Sequence, residues 1–276
     1  MTGKALVLGG GGVTGVAWEI GLMLGLVERG VDLTGADLFV GTSAGAVTAA
    51  RVTTGQTLED LFEGQIAEPA TTETAASLGA LGLLKFVAAG LRPGDPRKGR
   101  AWLGHAALRA KTLPESARRD VIEQLLGTAA WPATPLKITA VEAESGDFVA
   151  FDQSSGVSLI DAVAASCAVP LVWPPMTVNG TRYIDGGVRS VANADLAKGS
   201  DRIVVIAPIT ASVRRAGKPQ AQAEALGIPH IVVSPTDASL TAIGRNPLDP
   251  SRRAASAKAG RTQAAEVADR IRAVWG

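Results

Sequence analysis

Ala5-Leu6-Val7-Leu8-Gly9-Gly10-Gly11-Gly12-Val13-Thr14-Gly15 is the stretch from which the rest of the chain is read. Four apolar residues run into four glycines. The run is too short for a signal-peptide core and predicts a buried strand ending at a glycine turn. Beyond the turn, Val16 to Arg29 places apolar residues at helical spacing and stops at Gly30. Asp37 to Val40 then reads as a second strand and Ala44 to Thr53 as a helix of small residues. This alternation predicts an α/β fold, a three-layer sandwich with a mostly parallel central sheet covered by helices on both faces.

Working outward, residues 57 to about 130 are rich in Ala, Leu and Glu and predict a helical insertion, interrupted by the turn Pro93 to Lys98 and closed by Pro132 to Pro135. Strand patterns return at Leu136 to Val141, Phe148 to Phe151, Ile203 to Ala207 and Ile231 to Val233, with a hairpin at Val178 to Ile184 across Asn179-Gly180. A helix over about 252–275 puts Ala264, Val267, Ala268, Ile271 and Val274 on one packing face. The expectation is one domain over residues 1–276. Leu78, Leu81, Leu83, Leu84, Phe86, Val87 and Leu91 read as a buried helix of the insertion, with a lid or lipid-touching helix as the alternative.

Composition narrows the chemistry. With 27 basic against 26 acidic residues the net charge is +1, which gives no broad attraction to nucleic acid, and no nucleic-acid partner is expected. A lone Cys167 and two histidines, His105 and His230, argue against a disulfide and against a Cys or multi-His metal centre. No stretch of about 18 apolar residues is present, so the expectation is a soluble, cytoplasmic protein, peripheral at a membrane if it meets one. The oligomeric state is left open. The 32 glycines make any single glycine motif cheap, so position and joint occurrence carry the argument.

Gly41-Thr42-Ser43-Ala44-Gly45 has the form G-x-S-x-G between a strand end and a helix start, where a sharp turn can present the serine oxygen. A serine there can also be a simple helix cap. The loop Gly9 to Gly15 admits two functions. Gly10, Gly12 and Gly15 fit the dinucleotide fingerprint, with Asp32 or Asp37 as the ribose ligand. Alternatively, backbone N–H groups of the loop stabilise the oxyanion formed when Ser43 attacks an ester. His230 sits at a strand start and His105 in the insertion, neither an obvious base. Asp185, ending the hairpin strand before Gly186 and Gly187, is the carboxylate candidate.

The glycine loop, Gly41 to Gly45, the segment Ala165-Ser166-Cys167-Ala168-Val169-Pro170 and Asp185-Gly186-Gly187, in that order over about Ala5 to Asn193, resemble the patatin-like phospholipase family. The resemblance implies a Ser-Asp dyad with Ser43 as nucleophile and Asp185 as general base, and Gly10, Gly11 and Gly12 as oxyanion hole. Gly15, Gly41, Gly45, Gly186 and Gly187 would support it. It further implies hydrolysis of acyl esters of lipids through an acyl-enzyme, without cofactor or metal. An inactive lipid-binding module on the same fold remains the other reading. One departure stands out: the loop position commonly basic in the family is Thr14, which puts preference for phospholipid in doubt. Trp18 is read either as acyl-pocket lining or as packing, and Cys167 as a small core residue.

Overall fold

The computed structural model describes residues 3–67, 76–128 and 130–276; the parts of the expected insertion at 68–75 and 129 lie outside them. In chain order the elements are β1 (Lys4–Leu8), α1 (Gly12–Val27), β2 (Leu38–Gly41), α2 (Ala44–Thr53), α3 (Leu58–Ile66), α4 (Ala80–Leu91), α5 (Pro96–Leu108) and α6 (Glu115–Leu126). There follow β3 (Leu136–Glu142), β4 (Phe148–Phe151), α7 (Leu159–Ser166), β5 (Met176–Val178), β6 (Thr181–Asp185), β7 (Arg202–Ile206), α8 (Pro219–Ala225), β8 (His230–Val233), α9 (Asp237–Ile243) and α10 (Arg253–Trp275).

The strands form one mixed sheet, in neighbour order β5-β6-β3-β2-β1-β7-β8 with β4 also on β3. The pairs β3-β2, β2-β1, β1-β7 and β7-β8 are parallel, while β4, β6 and β5 add antiparallel ladders. The apolar run of β1 explains the layering. Leu6 and Leu8 join one buried cluster with Trp18, Phe39 and Ile271, while Ala5 and Val7 join another with Ala194, Ala197 and Ala223. With side chains alternating along a strand, a run apolar at every position is one buried on both faces.

On the first face α1 and α10 pack closely. A Cβ on Gly21 would strike the Ala257 carbonyl, and one on Gly260 the Trp18 carbonyl. Trp18 is fully buried between them and donates its indole N–H to Gln263 Oε1 at 3.2 Å. Its observed role is packing between the two helices.

β3 is the junction that positions the site. Ile138 and Ala140 face Phe151 and Val149 of β4, and the same two residues face Gly41 of β2 and Asp185 of β6. Since one edge is occupied by β4, β2 and β6 share the other. β2 runs parallel to β3 and β6 antiparallel, so their C-terminal ends meet head to head, two residues apart along β3. The hairpin feeding β6 turns at Asn179 and Gly180, both left-handed (φ +49° and +81°), as a tight two-residue turn requires.

The insertion departs from expectation in one respect. Helix α4 buries only Gly82 and Ala89 and leaves Leu81, Leu83, Leu84 and Leu91 each more than half exposed. The reason is the close approach of α5: a Cβ on Gly99 would run into the Ala89 carbonyl, so the tight contact uses small side chains and turns the leucines outward. No helix among the described residues is long and apolar enough to cross a membrane.

Candidate active site

Ser43 occupies the turn between β2 and α2 with φ +53° and ψ −114°, a region a non-glycine residue adopts at a cost of roughly 1–3 kcal/mol. The surroundings hold it there. Thr42 N–H donates to Leu8 O at 3.0 Å and Gly45 N–H to Gly9 O at 2.9 Å, tying the turn to the end of β1. A Cβ on Gly45 would strike the Leu8 carbonyl, so only glycine lets α2 approach β1 this closely. Gly41 has a similar close contact with Ala46.

The segment after α7 clamps both halves of the site. Ser43 N–H donates to Ser166 Oγ at 2.9 Å, the Cys167 thiol donates to Ser43 O at 3.3 Å, and Asp185 N–H donates to Ala168 O at 3.0 Å. Burial pushes the Cys167 thiol up to about 12, so it stays protonated and serves as a weak donor rather than a nucleophile.

Asp185 lies at the end of β6, 5% exposed, and accepts a hydrogen bond from Gly187 N–H at 2.7 Å, with the Ser43 hydroxyl close enough to favour its ionised form. Burial raises its pKa to about 6. The nearby Ser43 hydroxyl, the Gly187 N–H and the charge of Arg118 oppose that rise. Ser43 is 8% exposed, so the pair is almost shielded from water. A Cβ on Gly186 would collide with Thr139 of β3, which explains the glycine after the aspartate.

A buried amide fixes the two strand ends together. Asn193, itself left-handed at φ +52°, donates through Nδ2 to Thr42 Oγ1 at 3.0 Å, Ser190 O at 2.8 Å and Gly186 O at 3.3 Å, while Thr139 Oγ1 donates to Thr42 Oγ1 at 2.9 Å. Sequence reading missed this hub and the roles of Ser166 and Thr139. The signal available was the place of Ser166 and Asn193 within the quoted segments.

The glycine loop passes beside the serine: a Cβ on Gly10 would stand 3.5 Å from Ser43 Cβ. Gly10 N–H is already donated to Val191 O at 2.7 Å, so Gly10 is not an oxyanion donor in this arrangement. Gly11 and Gly12 open α1, where the first-turn N–H groups have no intrahelical acceptor and carry the positive end of the helix dipole. Gly12 has φ +62°, and a Cβ there would strike the Pro247 carbonyl, so the loop holds this shape only with glycine. Gly15 packs against Pro208 and donates its N–H to Gly11 O at 2.9 Å. Thr14 spends both its N–H and its hydroxyl on Pro247 O, each at 3.1 Å. Beneath the loop, the fully buried Glu19 accepts from Thr48 Oγ1 at 2.7 Å, and burial holds its pKa well above the usual carboxylate range.

The dinucleotide reading fails on position. Asp37 accepts Lys4 N–H at 2.7 Å and Asp32 accepts Thr34 N–H at 2.8 Å, so Asp37 sits at the start of β1, a five-residue strand of about 16 Å away from the loop. His230 begins β8 at the sheet edge with Nδ1 against Ile228 O at 2.8 Å, and His105 lies in α5; neither histidine bonds Ser43 or Asp185. A cleft of about 250 Å³ lined by Trp131, Pro135, Lys137 and Asp152 lies at the opposite ends of β2 and β3 and holds no such reactive pair.

Comparison with known proteins bears on the family and the fold. The family profile described as patatin-like phospholipase matches residues 6–198. No curated protein sequence matches. Among solved structures the chain is similar to VipD from Legionella pneumophila, at 14% identity with TM-score 0.50 over 98% of this chain and 67% of that one. It is also similar to the type III effector protein ExoU, at 21% identity with TM-score 0.39, where it spans 96% of its own length but only 53% of that chain. At these identities the likeness to VipD speaks to the fold alone.

Proposed function

Since this chain belongs to the patatin-like phospholipase family, hydrolases acting on lipid esters, we propose that it cleaves carboxylic esters of lipids through a Ser43-Asp185 dyad and an acyl-enzyme. The observation that carries the reading is the meeting of the β2 and β6 ends on β3, which sets Ser43, on a strained turn next to the glycine loop, against the buried Asp185 carboxylate. Asp185 accepts the hydroxyl proton as Ser43 Oγ attacks the acyl carbon. The tetrahedral oxyanion is met by Gly11 and Gly12 N–H at the start of α1, where one such donor is worth about 3–4 kcal/mol of barrier. Collapse breaks the ester bond, with Asp185 returning its proton to the leaving alkoxide. Water, deprotonated by the same carboxylate, then cleaves the acyl-Ser43 ester and releases the acid.

A carboxylate with a pKa near 6 suits this cycle better than one near 4, since it is ionised at neutral pH yet a stronger base. The same reading takes the exposed leucines of α4, flanked by Lys85 and Arg92, as the surface that meets aggregated lipid. Helix α4 is close to the site: Gly82 approaches Leu171, which lies in the turn following Cys167.

Ser43→Ala and Asp185→Asn are each expected to lower kcat/KM on p-nitrophenyl butyrate by at least about 10⁴-fold, with circular dichroism unchanged. Labelling of the parent by a fluorophosphonate probe, absent in Ser43→Ala, identifies the nucleophile. Turnover retained by either variant removes the dyad.

A further inference from the structure

Two consecutive arginines on α6 are treated in opposite ways. Arg119 reaches Asp161 of α7 at 2.8 Å and Glu123 at 3.0 Å, a guanidinium satisfied by two carboxylates. Arg118 has no carboxylate or carbonyl partner, and its Nε is shut off from water without a hydrogen bond. Its guanidinium carbon lies 4.4 Å from the centroid of the Trp173 ring. That stacking orders the group without satisfying its N–H donors.

The place of Arg118 gives this meaning. The backbone N–H of Trp173 donates to Val169 O at 2.9 Å, so Trp173 belongs to the same turn whose Cys167 and Ala168 hold Ser43 and Asp185. Arg118 is the charged side chain whose field reaches Asp185 and Cys167. The cation is poorly explained as a helper of the base, because a nearby positive charge weakens a carboxylate as a proton acceptor. It is not needed for the fold's ion pairing either, since Arg119 provides the α6–α7 bridge. The glycine loop brings no charge, Thr14 being neutral and committed to Pro247. An ordered, half-buried guanidinium with unused donors beside a reacting centre is matched chemically by a phosphate oxyanion, which can take two parallel N–H bonds.

We infer that Arg118, displayed by Trp173 at the mouth of the Ser43-Asp185 site, is an anion receptor that takes the phosphate of the substrate and makes the enzyme select phosphate-bearing acyl esters over neutral ones. The inference builds on the hydrolase reading and goes beyond it by naming the recognition residue and the group recognised. The phosphate can belong to a lipid head group or be free in solution, and the assay separates the two.

The test uses the full chain with 1-oleoyl lysophosphatidate and 1-oleoylglycerol in the same neutral micelles, plus inhibition of p-nitrophenyl butyrate turnover by glycerol 3-phosphate and by inorganic phosphate. The parent is expected to favour lysophosphatidate. Arg118→Gln is expected to reduce that preference about tenfold, chiefly through KM, and to weaken glycerol 3-phosphate inhibition by a similar factor. Arg118→Lys keeps a charged stem over Trp173 but loses the fork, and is expected to fall between the two. Equal loss on both esters overturns the inference in favour of a packing role. So does inhibition by inorganic phosphate in a parent enzyme that shows no preference for lysophosphatidate. Ser43→Ala, run on both esters, tests the hydrolase reading separately: turnover there would sink that reading whatever Arg118 does.

Discussion

The segments Lys4–Thr53 and Ala80–Leu126 are both rich in small and apolar residues, yet they end in opposite environments. In the first, β1 is buried on both faces, α1 is pressed against α10 through glycines, and Gly45 sits on the Leu8 carbonyl, leaving the turn at Ser43 little room to relax. In the second, α4 turns Ala89 to α5 and presents leucines to solvent. The difference teaches where this molecule is rigid. Strain at Ser43 is held by a closed core, whereas the helices that frame access carry surface that earns no folding free energy in the isolated chain.

Three experiments break or sharpen that contrast. Asn193→Ala removes the amide that links Thr42, Ser190 and Gly186 and puts alanine at φ +52°. It is expected to cost about 2–4 kcal/mol by denaturant midpoint and at least about tenfold in kcat/KM. An unaltered midpoint would show the two strand ends to be held without it.

The buried carboxylate makes a second, intermediate effect. Asp185 binds its proton more tightly folded than unfolded, with pKa raised from 3.8 to about 6, so its contribution to stability is full below pH 3.8 and lost as pH rises through about 6. Asp185→Asn should therefore gain stability relative to the parent between pH 4 and 7, by at most about 3 kcal/mol. Over the same range the parent's kcat/KM should rise to a plateau as the base ionises. A flat profile from pH 4 to 8 would rule out a base of this kind.

The smallest effect on folding is expected in α4. Leu84→Asp should change stability by under about 0.5 kcal/mol while reducing the vesicle-bound fraction about tenfold, read by flotation with anionic liposomes. Marked destabilisation would mean that the helix face is part of the core after all.

Local sequence revealed more of the first region than of the second. The apolar run of β1, the stop at Gly30, the Asn179-Gly180 hairpin and the strand-turn-helix around Ser43 are written in contiguous residues, because turns and two-faced strands have short-range chemistry. Gly10 shows the limit. Its N–H looks like that of Gly11 until Val191, far along the chain, takes it. Ser166, Asn193 and Arg118 were equally hidden, since each acquires its partners from register or helix packing. Spacing makes the α4 leucines a helix face, but which face turns inward is decided by the neighbour, here Gly99 of α5.

The head-on meeting of β2 and β6 has a practical corollary for engineering. Because Gly41 and Asp185 are indexed to Ile138 and Ala140 of a single strand, the separation of the proposed reacting groups is metered by that strand and not by the chain between residues 54 and 135. The parts of that length outside the core anchors Leu58, Leu61, Phe62, Ile122 and Leu126 can be exchanged like a tool head on a fixed spindle. Chimaeras that swap those parts and keep the anchors should inherit new substrate access while keeping the spacing of the serine and the aspartate.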